Sequence, residues 1–296
     1  YVSVKRFFPQ YDFSEPRGTV SFPQRADALA SQVLTMISLN GGTLILSFFK
    51  APMEEISVYT TYNLVLSGLF MLMYSVENSM TSAFGDLLAR DTKDKICDVY
   101  EKFDSIYHML WAVIIACLGV LLLPFIRVYT IGVTDAEYIL PVEGMLFTMI
   151  AAVWMLRNQQ TLLMTAQGRF KDIRRSMMIE AIIVVVIGAL GYMAFGLKGM
   201  LIAKLVGTLY MCSRLMVYNY REILHTNMTH KLQNILLSLV AIICTGLLMY
   251  FMPIDGDINL LNWVFKACCT FVISSIITIV IWCIFQKCNI VSLRIK

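Results

Sequence analysis

Four consecutive polar residues, Arg157, Asn158, Gln159 and Gln160, interrupt an apolar run from 139 to 166. They make one full helical turn, and Arg157 stands about 16 Å along a helix from Gly168, near the middle of a bilayer. A guanidinium at that depth costs roughly 2.5 to 3.5 kcal/mol on insertion scales, so the turn must face protein or a water-filled cavity. The chemistry this offers is anion attraction by Arg157 and hydrogen bonding by the amides. We expect a cavity here; the competing arrangement is a buried arginine satisfied by a carboxylate or by carbonyls.

A second polar group lies in another apolar run, where Glu77 and Asn78 are followed by Ser79, Thr81 and Ser82. Glu77 could pair with Arg157, or could hold a proton or a cation such as H+ or Na+. A purely structural pair is an equal alternative, because either charge buried alone costs several kcal/mol. Asn40, preceded by Ser31, Gln32 and Ser38 and followed by Gly41 and Gly42, weakens a third run near its centre. Such interruptions line substrate paths in transporters, and close helix packing through the glycines is the competing account. Lys204 is intermediate in depth and is a further cavity candidate. Arg214, Glu180 and Lys266 lie within two turns of a boundary, which their stems can reach as anchors.

No catalytic constellation emerges. His108, His225 and His230 fall at expected membrane edges or in a loop, and there is no HExxH, GxSxG or phosphate-loop pattern. The expectation is therefore a protein that is not an enzyme and uses no metal or other cofactor. The 8 cysteines show no CxxC or Cys/His spacing and read as small apolar packing residues.

The elements that position these groups are eight apolar stretches, approximately 28–49, 57–88, 106–131, 139–166, 176–196, 199–220, 232–252 and 261–286. Each is long enough to cross a hydrocarbon core, which needs roughly 20 residues in helical form. Composition agrees: 58% hydrophobic and 15% charged residues, with a mean hydropathy of +0.70, lie outside the range of a soluble globular domain. The loops alternate in charge. One set carries Arg90, Lys93, Lys95 and Lys102, then Arg169, Lys171, Arg174 and Arg175, then Arg221 and Lys231, and finally Lys287, Arg294 and Lys296. The other carries only Lys50, Arg127 and Lys198. The positive-inside rule places the rich set, and with it both ends of the chain, in the cytoplasm. The net charge of +4 is thus a topology signal, with anionic membrane lipids as its partner and no nucleic-acid footprint. Asn227-Met228-Thr229 matches a glycosylation pattern by chance, lying on the cytoplasmic side.

Between the spans, Asp91 or Thr92 can cap a helix whose Ile96, Val99, Tyr100, Phe103 and Tyr107 recur at helical spacing. It reads as a surface-lying helix that runs into the third span, with a solvated charged connector as the alternative. Pro124, Pro141 and Pro253 mark membrane entry or exit points. Residues 1–27, with Pro9, Pro16, Gly18 and Pro23, read as a cytoplasmic linker whose Phe7, Phe8, Tyr11 and Phe13 can touch the membrane. The chain opens on Tyr1 without an initiator Met or an apolar leader, so a preceding segment is expected.

Several segments resemble the polysaccharide-exporter branch of the multidrug/oligosaccharidyl-lipid/polysaccharide (MOP) flippase superfamily, over residues 25–225. They are Ser57-Val58-Tyr59-Thr60-Thr61-Tyr62-Asn63; Thr81-Ser82-Ala83-Phe84-Gly85-Asp86-Leu87-Leu88-Ala89; Val99-Tyr100-Glu101-Lys102-Phe103; Leu123-Pro124-Phe125-Ile126; and Arg157 with Thr165-Ala166-Gln167-Gly168-Arg169-Phe170-Lys171-Asp172. Their order and spacing carry the resemblance more than any one of them. The chain departs from it at Asn40-Gly41-Gly42-Thr43, where many relatives have an Asp, and at Gly85-Asp86, where the family pattern reads Gly-Asn.

The resemblance implies an all-α polytopic membrane protein with a MATE-like architecture of two six-helix lobes around a central cavity. This chain would supply the inter-lobe linker (1–27), the C-terminal lobe (28–225) and two additional helices with a tail (226–296), and would work with an N-terminal lobe of the same protein. The implied activity is flipping of a polyprenyl-pyrophosphate-linked oligosaccharide, an O-antigen or lipopolysaccharide-type precursor, across the bacterial inner membrane by alternating access. Arg157 would then attract the pyrophosphate, Asn40, Asn78, Asn158 and Gln159 would bond sugar hydroxyls, and Glu77 would be the counter-ion or coupling group. Alternatives are a drug or cation antiporter of the same superfamily, which needs an acidic cavity, and a membrane-embedded glycan polymerase or acyltransferase, which needs a deep His, Asp or Arg and a large outer loop.

Overall fold

The structure, a computed structural model, describes residues 25–90, 92–251 and 259–294. Most of the expected linker, including Phe7, Phe8, Tyr11 and Phe13, lies outside the described residues, as do Asp91 and Pro253. The described chain is all helix without strands: α1 (Arg25–Phe48), α2 (Met53–Arg90), α3 (Lys93–Tyr129), α4 (Pro141–Ala166), α5 (Phe170–Ile182), α6 (Gly188–Tyr218), α7 (Thr229–Phe251) and α8 (Leu260–Arg294). Wider π turns at Ile183–Ile187 and Asn219–Ile223 continue α5 and α6.

Six stretches are long and apolar enough to cross a membrane, so the protein is a multi-pass membrane protein. The difference from eight expected spans has two physical sources. One stretch, Phe170–Ile223, is 54 residues long and turns back on itself at Gly196, whose φ of 61° and ψ of −145° lie outside helical space and suit a residue without a Cβ. The outgoing arm (170–195) and the returning arm (197–218) pack antiparallel: a Cβ built on Gly199 would stand 2.1 Å from the Gly191 carbonyl oxygen, and Gly207 faces Val184 and Ile183. The other source is α4, whose 26 residues could span but whose polar turn lowers its hydropathy.

The third expected span and the charged segment before it form one unbroken helix of 37 residues. The leading part is not surface-lying. Ile96 and Tyr100 are buried with Phe84, Leu162, Leu163 and Tyr220 in an apolar cluster at the cation-rich end. Pro124 does not mark an end either, since it lies inside α3, whereas Pro141 is the first residue of α4, where a missing N–H is harmless. In α1 the glycines serve packing and the helix continues through them. A Cβ on Gly42 would stand 2.3 Å from the Tyr59 hydroxyl, and one on Gly41 would stand 2.7 Å from Val184.

Packing places α4 at the centre, against α2 and α6, with α3 alongside; α3 in turn carries α7 and α8, while α1 lies on α5. Aromatic contacts fill the main core: Phe70 stacks on Trp154 at 3.9 Å and Tyr62 on Phe147 at 5.1 Å between ring centroids. The Tyr62 hydroxyl donates to the Tyr138 carbonyl at 2.9 Å, which fixes the loop between α3 and α4. At the opposite end α4 closes with Gly168 at φ 71°, and the Arg169 N–H returns to the Met164 carbonyl at 3.0 Å, a left-handed helix stop.

Candidate functional site

Successive residues on a helix point about 100° apart, so four polar residues in a row cannot share one face. Each reaches a different neighbour. Arg157 bonds Glu180 of α5 at 2.7 Å. Asn158 donates to Glu77 of α2 at 3.1 Å. Gln159 donates to Asp104 of α3 at 2.7 Å and accepts from Lys231 of α7 at 2.5 Å. Gln160 accepts from Asn219, in the π turn after α6, at 3.0 Å on its side chain and 2.9 Å on its backbone carbonyl. One turn of α4 therefore joins α2, α3, α5, α6 and α7.

The expectation that this turn lines a cavity is corrected by its burial. Arg157 is 2% exposed and Gln159 fully enclosed; only Asn158 is partly open. The Arg157 guanidinium meets Glu180, itself 1% exposed, instead of water, and stacks near Trp154 at 5.8 Å. The pair is joined through one nitrogen and one oxygen, leaving Arg157 Nε and Glu180 Oε2 without hydrogen bonds. Glu180 was expected to be a boundary anchor. Its depth along the chain is as expected, but the hairpin turns it inward: a Cβ built on Gly207 of the returning arm would stand 3.4 Å from the Glu180 carbonyl oxygen, which marks how closely that arm approaches.

Glu77 does not pair with Arg157. It is 5% exposed and accepts from Tyr107 at 2.8 Å and from Asn158 at 3.1 Å. The Tyr107 hydroxyl also lies 2.8 Å from the Met155 carbonyl. Lys204 is buried as well, reaching the Leu39 carbonyl at 3.3 Å and the Tyr59 hydroxyl at 3.5 Å. It ties α6 to α1 and α2 and does not face open space.

The densest part of the network escaped sequence reasoning. Lys231, assigned there to a loop, is 1% exposed and bonds Asp104 at 2.5 Å. Asn234 donates to the other Asp104 oxygen at 2.8 Å, and His108, also enclosed, stands 3.9 Å from Asp104. Ser238 donates to the His108 carbonyl at 3.2 Å. A signal existed: Ile96, Tyr100, Asp104, Tyr107 and Trp111 fall on one helical face, so Asp104 sits inside an apolar stripe, where a carboxylate needs a cation. His108 Nε2, at 3.9 Å, is too far from Asp104 for a hydrogen bond and has no other partner among the described residues. Both are 0% exposed, so no substrate reaches them in this conformation.

Asn40, on α1, and Asn78, on α2, stand outside this network. Both are exposed. Asn40 donates back to the Met36 carbonyl at 3.0 Å, and Asn78 makes no hydrogen bond among the described residues. On α2, Thr60, Leu64, Ser67, Met71, Ser75, Asn78 and Ser82 are all exposed at three- and four-residue steps. That is one face, on which Leu64 and Met71 are interspersed among hydroxyls and an amide. Between Thr60 and Ser82 the only carboxylate is Glu77, which points the other way, into the bundle. Among the described residues, no group of three or more His, Cys, Asp and Glu side chains could hold a metal ion.

Compared with protein-family models and with curated proteins, the sequence matches none.

Proposed function

We propose that this chain is the second lobe of a flippase for a polyprenyl-pyrophosphate-linked oligosaccharide, working by alternating access in the bacterial inner membrane. The observation that carries this reading is the exposed face of α2. A row of Thr60, Ser67, Ser75, Asn78 and Ser82 in a membrane helix is poorly matched to lipid tails. A facing lobe and a hydrated path between the lobes would match it. Hydroxyl and amide groups interspersed with Leu64 and Met71 suit sugar rings, which have both polar edges and apolar faces. The order of the flippase-like segments along the chain supports the same reading, as do the cation-rich loops, from which the positive-inside rule expects both ends in the cytoplasm.

Arg157 has a changed role in it. Held by Glu180, it is a positioning residue for the bundle, and the pyrophosphate would meet cations outside this turn. The antiporter reading is less well supported, because an organic cation calls for an exposed carboxylate and this face has none between Thr60 and Ser82.

The test is export. In cells whose surface glycan depends on this protein, Asn40→Leu/Asn78→Leu is expected to insert and accumulate normally while surface glycan falls about tenfold or more, the loss of a few polar contacts. Unchanged export with normal accumulation would overturn the reading.

A further inference from the structure

A cleft of about 340 Å³ opens between the two arms of the hairpin, at the end opposite Gly196. Its polar lining is Asp172, Arg175, Ser176, Tyr210, Arg214 and Tyr218, and Met164, Ile179 and Leu215 supply its apolar part. The charges do not balance. Asp172 is already engaged, accepting from Tyr218 at 3.0 Å and lying 4.0 Å from Arg169, and the Ser176 hydroxyl bonds its own helix. Arg174, the neighbouring cation, is bound to Asp27 of α1. Arg175 and Arg214 make no ion pair or hydrogen bond among the described residues, and neither does the Tyr210 hydroxyl. Two guanidiniums from facing arms therefore line one cleft whose single carboxylate, Asp172, is already held by Tyr218 and Arg169.

We propose that this cleft binds the phosphate headgroup of an anionic phospholipid. Paired guanidiniums match a phosphate's oxygens in geometry as well as in charge. The lipid source follows from what lies next to the cleft. Towards Gly196 the exposed residues of the arms include Ile182 and Val186 on one side and Ile202, Val206 and Leu209 on the other, a seam along which acyl chains can lie while the headgroup stays in the cleft. The same end carries Arg169, Lys171 and Arg174, as an interface with anionic headgroups would. This inference is independent of the flippase reading: the cleft lies between α5 and α6, away from the exposed face of α2.

The experiment is native mass spectrometry of the purified, delipidated full chain with added phosphatidylglycerol, phosphatidylcholine or inorganic phosphate. One phosphatidylglycerol is expected to bind with clear preference over phosphatidylcholine. Arg175→Gln/Arg214→Gln should weaken that binding about tenfold or more, with an unchanged helical signal and melting temperature, since neither side chain supports another. Lys171→Gln, which removes an exposed cation outside the cleft, should leave it intact. Equal loss in Lys171→Gln, or no loss in the double variant, would overturn the site. Displacement of the lipid by equimolar inorganic phosphate would overturn its assignment to a lipid.

Discussion

The turn of α4 and the exposed face of α2 both place polar side chains within long apolar helices, and the structure uses them in opposite ways. Around Gln159 every polar group is turned inward, and five helices contribute partners to a network whose Asp104 and Lys231 are 0% and 1% exposed. Along Thr60 to Ser82 the polar groups are open, and Thr60 and Ser67 only bond their own helix. A polar residue in a membrane helix is thus not by itself a sign of a substrate path. What distinguishes the two is whether neighbouring helices supply hydrogen-bond partners. Side chains that bond across helices hold them together; a face that bonds no neighbour needs water, a ligand or a further partner.

The comparison breaks most visibly at Lys231. Lys231→Met should leave Asp104 as an uncompensated buried charge and cost about 3 to 5 kcal/mol, whereas Lys231→Met/Asp104→Leu should recover most of that loss. Thermal unfolding in detergent reads both. If the single variant melts like the parent, the network does not hold α7 to α3 and α4. A somewhat smaller effect is expected at the second ion pair: Arg157→Leu and Glu180→Leu should each destabilise by about 3 kcal/mol, and the double variant by clearly less than their sum. Strict additivity would mean that the two side chains do not depend on each other. The smallest effect is the sharpest contrast. Asn78→Leu and Asn40→Leu should change stability by no more than about 0.5 kcal/mol, so any loss of export in them cannot be assigned to unfolding; a large drop in melting temperature would place these residues in a packed interface instead.

Much of the helical architecture was legible because hydropathy and loop charge are properties of local sequence. The polar turn at Arg157 to Gln160 was legible as well, since its depth follows from rise per residue. What could not be read was direction. Distance along a helix gives depth but not which neighbour a side chain meets, and so Arg157 was expected to face a cavity and Glu180 to reach a boundary. Lys231 was missed for another reason: α7 begins at Thr229 and its first turn packs against α3, so a cation at the edge of an apolar run is enclosed by a helix that extends beyond the run. The appended helices were read as additions to the lobe. Through Asp104 and Lys231 the first of them shares one of the most enclosed polar contacts among the described residues.

The length of α3 has a mechanical consequence. From Lys93 to Leu123 it is free of proline and about 46 Å long, against a hydrocarbon core of about 30 Å. It is clamped through Asp104 and Tyr107 to α4 and α7. Such a rod acts as a lever with its fulcrum off centre: a tilt of about 10° in the embedded part would swing its Lys93 end by several ångströms. Motion inside the membrane would thereby be transmitted to the cluster that Ile96 and Tyr100 form with Phe84, Leu162 and Tyr220.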